Sequence, residues 1–228
     1  LIKRFATAAF AAATLLVSQS VFAQTPAPAG STQSGSWWSS GLTAEFAAGV
    51  TITKKTGGFI SGEVITSEFR PNLALSVEGG WMSSVVNGHQ VDSAAALASY
   101  LAQTQGQPAS ATVKSPAGYG AVNLRYAFHK KTRYHLYALV GGGFGVPSPK
   151  TTFTLGGTDV TGSVGQYGVA VGKDLAGSSV GGLLNLGVGA MFPHGRWVGD
   201  VSYRFTPIFA TGHTTPVSRF SFGIGRKF

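Results

Sequence analysis

The chain is expected to fold as an all-β protein, an eight-stranded antiparallel up-and-down β-barrel that crosses a membrane. Three observations predict this. Eight segments alternate apolar and polar residues with a period of two. The connections between them alternate, with one exception, between tight turns and longer loops. Charged residues make up only 11% of the 228 positions, against about 25% in ordinary soluble domains. Yet no run beyond the N-terminal region reaches the ~18 apolar residues of a spanning helix. Spanning strands reconcile the last two facts, because alternation hides their apolar face from any search for a long apolar run.

The elements follow in chain order. Lys3 and Arg4 precede the apolar run FATAAFAAATLLV (5–17), and Val21-Phe22-Ala23 supplies the residues at −3 and −1 of a cleavage site before Gln24. Residues 1–23 therefore read as a signal peptide. Residues 24–42 are rich in Pro, Ala, Ser and Gly and read as a flexible leader with too little apolar content to fold. The Trp37-Trp38 pair in it suits either an interface anchor or packing on a barrel rim. The barrel domain is 43–228, with strands near 43–53, 58–69, 72–83, 115–128, 133–145, 179–192, 196–207 and 217–228. Each reaches the ~9–11 residues that cross a bilayer at a tilt. Tight turns fall at Arg70-Pro71, 129–132 and 193–195, and longer loops at 84–114, 146–178 and 208–216. The link after the first strand, KKTG, is the exception: it is short for its side.

Aromatic residues then fall into two belts. Phe69, Tyr126, Phe128, Tyr134, Phe192, Trp197 and Phe228 mark the turn end, and Phe59, Trp81, Phe144, Phe205 and Phe220 the loop end. Amphipathic rings favour both interfaces of a membrane. Charge assigns the faces, since an Arg or Lys against lipid near the midplane costs ~2–4 kcal/mol. Trp197, Val201, Tyr203 and Phe205 thus face lipid, while Val198, Asp200, Ser202 and Arg204 face the lumen. By the same rule Val122, Leu124, Tyr126 and Phe128 point out, and Asn123 and Arg125 in; Leu73, Leu75, Val77 and Trp81 point out, and Ser76 and Glu78 in. The second strand allows two registers. Turning Glu63 inward sends Ile60, Gly62 and Val64 to lipid, with a β-bulge near Ile65.

The stretches SSVGGLLNLGVGAMFPHGRWVGDVSYRF (178–205), RYHLYALVGGGFG (133–145) and the closing RFSFGIGRKF (219–228) resemble the small bacterial outer-membrane β-barrel family, the OmpA/OmpX-like group of eight-stranded barrels. The resemblance covers nearly all of 43–228 and implies fold and outer-membrane location more firmly than activity. It makes 24–42 a periplasmic leader and leaves no peptidoglycan-binding domain after the barrel. It also implies an assembly signal in the last strand. Phe220, Phe222, Ile224 and Phe228 share one face there, and the barrel assembly machinery reads the terminal Phe. Arg226 departs from that pattern, standing where an apolar residue is usual.

Candidate functional residues lie in the lumen and the loops. Glu45, Glu63, Glu78 and Asp200 are the strand acids, and Arg125, Arg204 and Arg219 the inward bases. Glu63, Glu78, Asp200, Arg125, Arg204 and Arg219 are expected to form an ion-pair network, because an unpaired buried charge is costly. Either the network plugs the lumen, or its pairs swap partners to gate a pore, with inward Gly187, Gly189, Gly223 and Gly225 leaving room. In loop 84–114 Asp92 or Ser93 can cap a helix whose apolar stripe is Leu97, Tyr100 and Leu101. That helix either packs on the barrel mouth or meets a partner or membrane surface. Loop 146–178 turns at Gly156-Gly157 and can extend the sheet; it too is a candidate contact for an external partner.

Without the signal peptide, 15 basic residues stand against 8 acidic ones, a net charge of +7. Lys54, Lys55, Lys114 and Lys150 fall at the loop end and suit the phosphates of outer-leaflet lipopolysaccharide. No basic helix or aromatic-basic platform suggests nucleic acid. With no Cys, thiolate metal sites are excluded. No cofactor, metal site or catalytic residue is expected. His89, His129, His135, His194 and His213 are scattered, and none precedes a Ser by two residues as in the outer-membrane lipid A deacylases that this barrel resembles in size. Three functions follow from these features. The leading one is a monomeric, non-enzymatic envelope protein that presents its loops for adhesion, partner contact or lipopolysaccharide packing. A small ion or solute channel comes second, and a lipid-modifying enzyme third.

Overall fold

The structure, a computed structural model, describes residues 41–130, 133–210 and 212–228, the side chains of 129 and 130 excepted. The segments expected to be a signal peptide and a leader, with Trp37-Trp38, lie almost wholly outside the described residues. In chain order the elements are β1 (Thr43–Ile52), β2 (Thr56–Ile65), β3 (Leu73–Met82), helix α1 (Gly88–Gln105), β4 (Ala109–Lys114), β5 (Ala117–Lys130), β6 (His135–Pro147), β7 (Lys150–Leu155), β8 (Thr158–Asp159), a 3-10 turn (Val164–Tyr167), β9 (Gly181–His194), β10 (Trp197–Phe205), β11 (Ile208–Ala210), β12 (His213–Thr215) and β13 (Ser218–Lys227).

Eight of these strands form an antiparallel ring, β1-β2-β3-β5-β6-β9-β10-β13. The ring closes where β13 returns to β1, in register from Thr43↔Lys227 to Ile52↔Ser218. Closure leaves the ring no free edge, the condition for a sheet to sit in lipid. The ring's outer face is apolar and exposed, including Phe46, Ile60, Val77, Val122, Val140, Leu186, Phe222 and Ile224. A soluble monomer rarely exposes contiguous apolar patches beyond a few hundred Å². The band that encircles this ring is therefore a lipid-facing surface. At the turn end Phe69, Tyr126, Phe128, Phe192, Trp197 and Phe228 are exposed on it, and at the loop end Trp81, Phe144 and Phe220. Tyr134 and Phe205 are half-buried.

Glu63 faces inward, with Ile60 exposed and Phe59, Ser61 and Ile65 buried beside it. Three expectations for this strand fail. No bulge occurs near Ile65, because the registers of β1–β2 and β2–β3 run unbroken through it. Ile65 packs into the lumen, so nothing has to turn it outward; the shift in the ring falls instead between Ala127 and His129. Phe59 does not join the loop-end belt. It is 4% exposed and lies in an apolar layer inside the barrel. The strand also stops at Ile65, short of 69. Asn72, at φ +68°, and the Leu73 N–H donating to the Arg70 carbonyl at 2.9 Å form the turn. Asn tolerates this left-handed position better than most residues.

Above the loop end the long connections build a compact crown. β4, β7 and β8 make a separate three-stranded sheet. The β7–β8 link is Gly156-Gly157, at φ +57° and +86°, the backbone of a tight primed hairpin turn. The β11–β12 hairpin extends the ring through β9. Helix α1 starts before the expected Asp92 or Ser93. Asn87 caps it, accepting the Gln90 N–H at 2.8 Å while the Gln90 side chain accepts the Asn87 N–H at 3.2 Å. This reciprocal capping box satisfies two otherwise orphaned donors. The helix buries Gln90, Ala94, Ala98 and Leu101; Tyr100 points outward, 47% exposed. Leu101, Phe153, Leu155, Val160, Val164 and Val169 give the crown an apolar core of its own.

Candidate functional site

Strand register sets most of the lumen charges in rows of like sign. Glu45, Glu63 and Glu78 are direct neighbours across β1, β2 and β3. Arg204 and Arg219 are direct neighbours across β10 and β13, and Arg125 comes from β5. Like charges directly opposite one another in a sheet repel, so each row depends on the other. The rows, with Arg125, meet as an alternating ladder, Arg125–Glu63–Arg204–Glu78–Arg219. Arg125 donates to Glu63 twice, Nε to Oε1 at 3.1 Å and Nη2 to Oε2 at 2.5 Å. Arg204 Nη2 donates to Glu63 Oε2 at 2.8 Å, and Arg219 Nη1 to Glu78 Oε1 at 2.8 Å. Between Arg204 Nη1 and Glu78 Oε2 there is charge contact at 2.7 Å without hydrogen-bond alignment. None of these five side chains is more than 4% exposed. Asp200 instead accepts from Tyr137 Oη at 2.8 Å.

Residues that the sequence did not single out complete this network. Asn185 donates to Glu78 at 3.1 Å and to Asn123 at 2.9 Å, and accepts from Thr206 and Arg219. Tyr119 Oη donates to Glu78 at 2.7 Å and also meets Arg219 Nη1. The Arg125 guanidinium lies 4.5 Å from the Tyr137 ring centre; that of Arg219 lies 4.7 Å from Tyr119 and 5.3 Å from Phe59. Stacking of this kind favours the cation where water is excluded.

Apolar layers bracket the ladder. Ile65, Ala74, Ala127, Tyr137, Leu139, Met191 and Val198 fill the turn end, and Phe59, Met82, Val85, Ala117, Tyr119, Ala121, Leu183, Ile208 and Val217 the loop end. The inward glycines leave no room, contrary to expectation. A Cβ on Gly189 would meet the Tyr137 ring, one on Gly223 the Glu45 carboxylate, and one on Gly225 Val198 Cγ1 at 2.8 Å. On Gly187 it would meet Arg204 Cγ at 3.0 Å. These glycines are the hollows into which larger side chains pack, as in other small barrels whose side chains fill the interior.

Outside the lumen, Phe220, Phe222, Ile224 and Phe228 are exposed on the lipid face. Arg226 is also outward, its guanidinium 5.8 Å from the Trp197 ring centre and 5.6 Å from that of Phe228. It belongs to the turn-end aromatic belt, where a cation can stay solvated. Lys54, Lys55, Lys114 and Lys150 are exposed together at the loop end. Lys114 and Lys150 are partners in register across β4 and β7, and Lys55 Nζ donates to the Val113 carbonyl at 3.1 Å. Of the histidines, His135 is buried in the lumen. His89 and His213, far apart in the chain, stack with ring centres 4.0 Å apart.

A closed eight-stranded ring, apolar outside and charged within, has the fold of the small outer-membrane β-barrels. Neisserial surface protein A is similar at 12% identity with a TM-score of 0.50, over 82% of this chain and 96% of that one. Ail, the attachment invasion locus protein of Yersinia pestis, gives 14% and 0.44 over 82% and 97%. The N-terminal β-barrel domain of Pseudomonas aeruginosa OprF gives 12% and 0.44 over the same shares. At such identities the likeness shows fold alone. No protein-family model matches the chain, and no curated protein is significantly similar to it in sequence.

Proposed function

We propose that the protein is a monomeric, non-enzymatic barrel of the bacterial outer membrane with a closed lumen, and that its working surface is the loop crown. The observation that carries this reading is the fully buried Arg125–Glu63–Arg204–Glu78–Arg219 ladder between two apolar layers. A lumen filled in this way supports a structural role for the interior and leaves the exterior to act. The crown's own apolar core holds its surface in one shape.

The chemistry offered there is basic. Lys55, Lys114 and Lys150 lie around the β4–β7 edge, and Lys54 sits in the adjoining β1–β2 turn. Together they suit the phosphates of outer-leaflet lipopolysaccharide. Such contacts weaken as salt shortens the screening length to roughly 8 Å at physiological strength. The refolded barrel should bind lipopolysaccharide less tightly as ionic strength rises, and a variant with Lys→Gln at all four positions should bind more weakly at every salt concentration. Equal binding by that variant removes the reading. A lipid A mass spectrum altered by expression of the protein would favour the enzyme alternative instead.

A further inference from the structure

We propose that His89, Asp174 and His213 form a binding site in the crown for a divalent first-row transition-metal ion, with zinc as the probe. Their candidate ligand atoms all lie within 4.8 Å of one another. His89 Nε2 is 3.5 Å from Asp174 Oδ2, and the two imidazole rings stack at 4.0 Å with an angle of 27° between their planes. Two imidazoles and a carboxylate suit zinc, with the remaining position left to water.

The three ligands come from separate elements: the first turn of α1, the loop before β9 and the start of β12. A second set of contacts holds those elements together. The α1 cap, Asn87, donates through Nδ2 to Thr215 Oγ1 at 3.1 Å, fixing β12 two residues after His213. Its capping partner Gln90 donates through Nε2 to the Asp174 carbonyl at 3.1 Å, fixing the loop at the ligand itself. The residues flanking His89 thus anchor the backbones that carry the other two ligands. These contacts hold the backbones of the three ligands close together. The Zn–N distance of about 2.0–2.1 Å requires the ligand atoms to move closer than 4.8 Å. The side chains of His89 and Asp174 are 46% and 37% exposed, so they can rotate inward without disturbing the crown's core. A bound ion would tie three crown segments together, and an ion that binds only the assembled site stabilises it.

The test is a zinc titration against a competing chromophoric chelator, using the barrel refolded from the full chain in detergent. One zinc per chain is expected. His89→Ala, Asp174→Asn and His213→Ala should each weaken binding by more than about a hundredfold, beyond the roughly 10–100-fold that loss of a supporting contact costs. His194→Ala, at the turn end of β9 on the opposite side of the barrel, should leave it unchanged. Zinc should also slow proteolytic cutting of the crown in the wild type but not in the ligand variants, whose barrels are checked for folding by their heat-dependent gel shift. Failure of the wild type to bind zinc overturns the proposal, as does wild-type affinity in a His89→Ala/His213→Ala double variant.

Discussion

Arg125 grips Glu63 across the lumen with two parallel hydrogen bonds, at 3.1 and 2.5 Å, and the pair is buried to within 4% of full enclosure. Paired forks of this kind are both strong and geometrically demanding. They fix β5 against β2, strands that are not neighbours in the ring. Arg204 then links Glu63 to Glu78, so the middle of the barrel is tied across its width as well as around its wall.

Arg204→Ala removes the ladder's central cation and leaves Glu63 and Glu78 sharing fewer positive partners. Loss of one partner from a buried network costs roughly 3–5 kcal/mol. Urea-induced unfolding of the barrel in lipid vesicles should show a loss of that order. Combining Arg204→Ala with Glu78→Gln should restore part of it, because one of the stranded charges is then removed.

Gly189 tests whether the lumen is packed. A methyl group there meets the Tyr137 ring, whereas one on Gly182 meets nothing within 4 Å. Overpacking a filled interior costs ~1–3 kcal/mol. Gly189→Ala should therefore lower stability in the same unfolding assay, and Gly182→Ala should leave it nearly unchanged. Two neutral substitutions would mean that the lumen has slack.

Phe228 is expected to act in assembly more than in the folded barrel. The residue is 73% exposed, so its removal takes little packing away. Deletion of Phe228 should reduce the heat-modifiable barrel recovered from outer membranes, while refolding into detergent proceeds as in the wild type. Undiminished insertion in cells would contradict this.

Alternation made the eight ring strands readable, since every ring strand carries a two-residue period, ambiguous in face only for the second. It also set the faces wherever a charge marked one of them, as with Arg125, Glu78, Asp200 and Arg204. Phe59 escaped because the lumen is apolar at both ends; an aromatic there looks the same in sequence as one facing lipid. Tyr119 and Tyr137 were missed for that reason too, and Asn185 because a neutral amide gives no sign of being a hub. Which arginine meets which glutamate depends on the stagger between strands, which no local pattern encodes. The grouping of His89, Asp174 and His213 depends on how three loops fold over one another. The Asn87 cap was legible in principle, for Asn87 and Gln90 have capping-box spacing, but Asp92 and Ser93 are equally good cap residues and stand nearer the apolar stripe.

Single-channel recording of the wild-type barrel in planar bilayers shows whether the lumen is closed by its own side chains. A silent barrel without steady conductance is expected, with measurable current once Arg204→Ala opens the middle of the ladder. Large, steady open currents from the wild type would contradict the closed lumen and make the protein a channel.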